Sequence, residues 1–72
     1  MTQTDRIRQH LETYGNITAR EAMEQYGVMR LASRISELKH QGMVLFTDRE
    51  TTTNRYGEPT TYARYYLIEK GN

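Results

Sequence analysis

Three glycines, Gly15, Gly27 and Gly42, divide the first 42 residues of the chain into short segments. In two of these segments apolar residues recur at i, i+4 and i+7: Ile7, Leu11 and Tyr14, then Leu31, Ile35 and Leu38. Residues at this spacing share one face of an α-helix, so the pattern predicts amphipathic helices. Glycine ends helices because it readily adopts the left-handed conformation. We therefore predict helices at about 4–14, 19–26 and 30–41.

Polar residues mark the starts of the first two predicted helices. Thr4 is the expected N-cap of the first helix, followed by Asp5, whose charge suits the positive end of the helix dipole. Thr18 and Glu21 form a capping-box pattern, in which each side chain satisfies a backbone N–H at the start of the second helix. The third helix lacks such a residue, because Val28 and Met29 precede it.

The rest of the chain has the composition of a β-hairpin. β-Branched and aromatic residues favour strands at about 43–49 and 61–68, and the segment between them is polar and rich in turn residues. Alternation in a strand places Tyr65 and Leu67 on one face. We expect that pair, together with Val44 and Phe46, to cover the helices. The fold class is therefore α+β, with residues 1–72 in one domain.

The order of these elements indicates how the domain could be used. The second and third helices are joined by a short turn containing Gly27, and the third has a polar outer face. Two helices joined in this way form a helix-turn-helix. Its second helix fits the major groove of DNA, which is wide enough for one α-helix.

Several short sequence segments resemble those of a known family: Ile17–Ala22, Tyr26–Val28, Leu31–Ile35, Glu37–Leu38, Gly42 and the later Tyr65–Leu67. They resemble the small winged helix-turn-helix domains of bacteriophages and prophages, over about residues 4–69. The resemblance implies three helices followed by a two-stranded β-hairpin, the wing. It also implies a double-stranded DNA-binding protein, a phage or prophage transcription regulator in the cytoplasm of a bacterial host.

Four residues of the third helix are candidates for DNA contact. Arg30 and Arg34 are the first of these, because arginine can form two parallel hydrogen bonds to guanine or neutralise a phosphate. Ser33 and Glu37 share that face. Serine can bond bases or phosphates, whereas a carboxylate is suited to cytosine or to orienting an arginine.

Further candidates lie at the start of the second helix and on the wing. Thr18 and Arg20 stand where free backbone N–H groups favour a phosphate. A wing that reaches the minor groove would probe it with arginine. The wing residues in this interpretation are Asn54 and Arg55 at the tip and Arg49 and Arg64 at the base.

The six tyrosines can be interpreted in two ways. Rows of aromatic rings can stack on single-stranded nucleic acid. Tyr14, Tyr26 and Tyr65 are instead expected in the core with their hydroxyls at the surface. Tyr62 and Tyr66 then remain on the outer face of the hairpin, where they could contact a partner.

Composition argues against several other classes. The chain has no cysteine, and its longest apolar runs are far shorter than the roughly 20 residues of a membrane helix. Ser36, Glu37 and His40 are close on one helix, but this spacing does not build a buried, oriented nucleophile and base. We expect no enzyme activity, metal, cofactor, small-molecule substrate or membrane partner.

Two alternative functions remain open at this stage. The formal net charge is only +1, which also suits a winged-helix protein-protein interaction module that does not bind DNA. The other alternative is an accessory factor that bends DNA during recombination. For a DNA-binding function a homodimer is compatible with the sequence, because one small domain contacts only a short stretch of DNA.

Overall fold

The computed structural model describes residues 1–71. The elements in chain order are α1 (Gln3–Tyr14), β1 (Asn16–Thr18), α2 (Ala19–Tyr26), α3 (Leu31–His40), β2 (Val44–Thr53) and β3 (Pro59–Glu69). The three helices begin and end within one residue of the predicted bounds, whereas β2 and β3 extend further toward the tip of the hairpin. None of the helices in the described range is both long and apolar enough to cross a membrane.

The sheet has three strands, so the expected two-stranded hairpin is corrected. All pairs are antiparallel in the order β1-β3-β2, and Ile17 of β1 pairs with Tyr65 of β3. A three-residue strand is too short to show alternation in sequence, which is why β1 was not predicted. A lone hairpin is marginal in water, and β1 anchors the base of this one to the helices. We keep the name wing for the hairpin of β2 and β3.

The core lies between the three helices and the base of the sheet. Its buried residues are Ile7, Leu11, Ile17, Ala22, Val28, Leu31, Ile35, Leu38 and Met43. Tyr26, Leu45, Tyr65 and Leu67 pack against this cluster while keeping part of their surface exposed. The apolar spacings therefore correctly identify Ile7 and Leu11 of α1, and all three predicted residues of α3, as core residues.

Two predicted members of the inner sheet face are on the outer face instead. Val44 is 45% exposed and Phe46 is 54% exposed, whereas Leu45 between them packs on the core. A shift of one residue exchanges the two faces of a strand, and Met43 already occupies the core position that follows α3. The Phe46 ring lies 6.3 Å from that of Tyr66, its partner across the strands.

Tyr14 was also expected in the core, and the structure corrects this. It is the last residue of α1 and is 66% exposed. Its ring lies against the buried His10, with 4.7 Å between the ring centroids. His10 in turn shares a hydrogen bond of 2.6 Å with the Tyr26 hydroxyl. Tyr26 and Tyr65 pack against the core as expected.

The N-cap of α1 is Thr2, so Thr4 is available for a contact with α3. Thr2, not Thr4, is the N-cap of α1, and it forms a capping box with Asp5. Thr4 is buried, and its hydroxyl donates a hydrogen bond to the Glu37 carboxylate of α3. Two threonines two residues apart offer alternative caps, and the contact with α3 decides between them.

The turn that leads into α3 depends on Gly27. This glycine has φ +68°, in the left-handed region, where an L side chain would be strained. Upstream, the predicted capping box of Thr18 and Glu21 is confirmed. Downstream, Arg30 is the N-cap of α3 without a side-chain cap. The first turn of α3 is therefore defined by packing and not by a capping side chain.

Candidate nucleic-acid interface

One side of α3 faces away from the protein. Leu31, Ile35 and Leu38 are buried, and at 100° per residue Ser33 and His40 lie opposite them. Ser36 and His40 are exposed and Ser33 is half-buried. We call Ser33, Ser36 and His40 the outer ridge of α3. The ridge has two small hydroxyl side chains and a histidine, and its surface is accessible to a large partner.

Two of the residues predicted to contact DNA are directed at α1 instead of outward. An Arg34 guanidinium nitrogen lies 2.8 Å from Glu37, and another donates to the Gln3 side chain at 3.3 Å. Glu37 also accepts the hydroxyl of Thr4. The Arg34 Nε atom is buried and has no hydrogen-bond partner within residues 1–71. Arg34 and Glu37 thus join α3 to α1.

A cleft separates the first turn of α3 from the start of α2 and from β3. It encloses about 380 Å³ and is bordered by both Arg20 and Arg30, with no acidic residue in its lining. A second cleft of about 360 Å³ lies beside it, toward the wing. The two share Thr18, Arg20 and Tyr62 and so form one groove from α3 to the wing.

Arg49 adds a third cation on the side of the sheet to which Ala63 projects. Arg49 pairs across the strands with Ala63, which lines the larger cleft. Directly opposite residues of an antiparallel pair project to the same side of the sheet. Arg49 is exposed and forms no salt bridge within the described residues. It is therefore free to contact a ligand bound on that side of the sheet.

At the tip of the wing, Asn54 and Arg55 have different roles. The side-chain oxygen of Asn54 accepts the backbone N–H groups of Tyr56 at 2.9 Å and Glu58 at 3.0 Å. Asn54 therefore holds the shape of the turn and is already engaged. Arg55 beside it is exposed and forms no salt bridge in residues 1–71, so it is the wing-tip side chain available to a partner.

Arg64 occupies the base of the wing in a network within the protein. Its guanidinium donates to Glu50 and to Asn16, each at 2.7 Å, and lies 3.4 Å from Glu21. The hydrogen bond with Glu50 raises the pKa of Arg64, and the same bond lowers the pKa of Glu50. Arg64 thus pairs with two carboxylates and connects β2, β1 and α2, instead of being available to DNA.

Thr18 and Arg20 lie at the start of α2, and they differ in how firmly their side chains are bound within the protein. Thr18 is buried and its hydroxyl caps the helix, so it lines the groove mainly as a structural residue. Arg20 donates a hydrogen bond of 2.9 Å to the Glu24 carboxylate, and this bond raises the pKa of Arg20. The Arg20 side chain is 84% exposed. Exposed pairs of this kind are weak, so Arg20 can exchange Glu24 for a phosphate.

The structure therefore brings together some of the predicted residues and separates others. Thr18, Arg20, Arg30 and Ser33 border one cleft, whereas Asn54 and Arg55 lie at the wing tip. Sequence reasoning did not single out Met29 and Ala32, which border the same cleft and are exposed. The signal available for Met29 was its position just before the helix expected to enter the major groove.

Histidine, aspartate and glutamate are residue types that can bind a metal ion, and His40 of the outer ridge is one of them. The His40 Nδ1 atom is 2.8 Å from the backbone carbonyl of Ser36, so the ring is bonded to its own helix and not to the serine hydroxyl. In the part of the chain that the structure describes, no three such residues are grouped in a way that could hold a metal ion.

Comparison with known proteins gives one family. The model of the family described as "Winged helix-turn-helix domain" matches residues 2–70, which is nearly the whole chain. No curated protein and no solved structure gives a significant match. The observed elements agree with that family, since α2 and α3 are joined by a tight turn and the wing follows them. The chain belongs to the winged helix-turn-helix domain family.

Proposed function

We propose that the chain binds double-stranded DNA and regulates transcription in a phage or prophage within a bacterial host cell. In this proposal α3 enters the major groove, and the wing lies on the backbone or in the adjacent minor groove. Winged helix-turn-helix domains generally bind DNA, and a helix-turn-helix places its second helix against base edges. The role is that of a binding protein, without a catalytic step.

The observation that carries the proposal is the cationic groove beside the accessible first turn of α3. Arg20 and Arg30 border it, and Arg49 lies across the strands from Ala63 in its lining, although the whole chain has a formal net charge of only +1. Several acidic side chains are paired within the protein and do not line the groove, as Glu21 and Glu50 are with Arg64. A local concentration of cations attracts phosphates even when the total charge is small.

The dimensions of the protein also suit a duplex. Its longest extent is 43 Å, and β2 and β3 contain 10 and 11 residues. A strand of ten residues spans about 33 Å, so the wing accounts for much of that length. One turn of B-DNA is about 34 Å long. Consequently α3 and the wing tip can contact neighbouring grooves of the same duplex.

The salt dependence of duplex binding tests the proposal. Selection from a random duplex pool would first provide the preferred site, and fluorescence anisotropy would then give affinity at several salt concentrations. The cations expected at phosphates are Arg20, Arg30, Lys39, Arg49 and Arg55. With about −0.9 per contact, five contacts predict a slope of log affinity against log salt of about −4.5.

Single substitutions make this test specific to the groove. Arg49→Ala should reduce the magnitude of the slope by about 0.9, because one phosphate contact is lost. Arg6→Ala, at an exposed cation on α1, is the matched control and should leave the slope unchanged. A flat salt response, or no duplex binding at low salt, would reject DNA as the ligand.

A protein partner is the second candidate, and one observation favours it. Val44, Phe46 and Ile68 are all exposed, and Tyr66 lies beside Phe46 on the outer sheet face. Exposed apolar patches of this kind are typical of protein contacts. A second copy bound to the other half of a two-fold DNA site would also use such a surface, but its binding to DNA would still depend on salt. Only a protein partner without DNA predicts the flat salt response.

A further inference from the structure

The first turn of α3 and Met29, which precedes the N-cap Arg30, expose apolar surface where they meet the groove. Met29 is 75% exposed, and Ala32 is exposed as well. Together with the half-buried Ser33, they border the larger cleft opposite Ala63 of β3. An exposed methionine beside an alanine contributes nothing to the core. It does, however, provide methyl and methylene groups that a ligand in the groove could cover.

The cationic side chains of α3 that are free for DNA lie on either side of this apolar surface. Arg34, the arginine inside the first turns of α3, is held toward α1 by Glu37 and Gln3. Arg30 is the N-cap residue, and Lys39 lies in the last turn. The cations of α3 that are free for DNA are therefore at its two ends, with Ala32, Ser33 and Ser36 between them.

We infer that the first turn of α3 selects thymine, through contact of Met29 and Ala32 with the C5-methyl group in the major groove. The inference rests on the proposed function and adds the chemical class of base that the site reads. Among the four bases, thymine alone presents a methyl group in the major groove, and apolar side chains recognise it. Ser33 can bond either a donor or an acceptor on the neighbouring base edge.

Uracil substitution measures this contact on the DNA side. Replacing one thymine at a time by deoxyuridine in the selected duplex removes the methyl group and leaves Watson–Crick pairing unchanged. Covering one methyl group corresponds to about a fourfold change in affinity. We expect a loss of about that size at one or two thymines of each bound site, with unaffected binding at the others.

Two methionine variants measure it on the protein side. Met29→Ala should weaken binding to the thymine duplex by a similar factor and should abolish the difference between thymine and uracil at the contacted position. Met23→Ala is the matched control, because Met23 is an exposed methionine of α2 outside the groove. It should keep the full thymine-to-uracil difference, which a double-mutant cycle quantifies.

The outcomes separate this inference from the proposed function. Specific duplex binding that no uracil substitution weakens would overturn thymine selection and leave DNA binding intact. A loss confined to replacement of guanine by 7-deazaguanine would do the same and would assign base reading to Arg30. Absence of duplex binding at low salt would overturn both. Retained thermal midpoints of the two variants would show that affinity, not folding, is being measured.

Discussion

Ile17 provides a test of the role assigned to β1. Its side chain is fully buried, and it lies where the short strand joins the helices to the wing through Tyr65. Ile17→Ala removes three carbon atoms from a site that is closed on all sides. Such truncations cost about 2–5 kcal/mol, and we expect about 3 kcal/mol here because the residue is completely enclosed.

The expected effect on thermal stability is large for a chain of this size. Domains of this length have a total stability of about 4–11 kcal/mol. A loss of about 3 kcal/mol corresponds to a decrease in Tm of about 12–24 °C. Thermal unfolding followed by circular dichroism, together with urea titration, measures both quantities.

Ile68→Ala is the matched control for this prediction. Ile68 is on the outer face of β3 and is 61% exposed, so its truncation should cost no more than about 1 kcal/mol. Equal decreases in Tm for the two variants, or a decrease below about 5 °C for Ile17→Ala, would refute the reasoning. Either result would mean that β1 does not join the sheet to the core.

Two further predictions concern charged residues. Arg30→Ala should weaken duplex affinity and reduce the salt slope by about 0.9 at unchanged Tm, whereas Arg34→Ala should lower stability by up to about 1 kcal/mol and change affinity little. Equal losses of affinity in the two variants would place Arg34 on DNA. Because Arg64 lowers the pKa of Glu50, the stabilisation from this pair is present at neutral pH and is lost as the pH falls below the ordinary glutamate range. Acid titration of stability should therefore be shallower for Glu50→Gln, and identical acid titration curves would contradict this.

The helices could be predicted from the sequence because their information is local. The spacing of Ile7 and Leu11, the capping box at Thr18 and the stop at Gly27 each involve residues within one or two turns of one another. Strand faces are less local, since alternation fixes which residues share a face but not which face is buried. Val44 and Phe46 were assigned to the wrong face for this reason.

The interface was harder to predict because contacts between distant residues decide it. Arg34 and Glu37 have the periodicity of an outward face, but Gln3 and Thr4 of α1, more than 30 residues away, bind them. The importance of Arg49 depends likewise on its cross-strand register. No pattern within a window of one helix contains this information.

NMR titration shows residue by residue whether α3 and the wing contact DNA together. Backbone amide shifts would be followed while a duplex carrying the selected site is added to the labelled protein. We expect the largest amide shift changes at residues 29–40 and 49–56, and small changes on the outer sheet face around Phe46 and Ile68. Changes concentrated at Phe46 and Ile68, with residues 29–40 unaffected, would contradict this expectation.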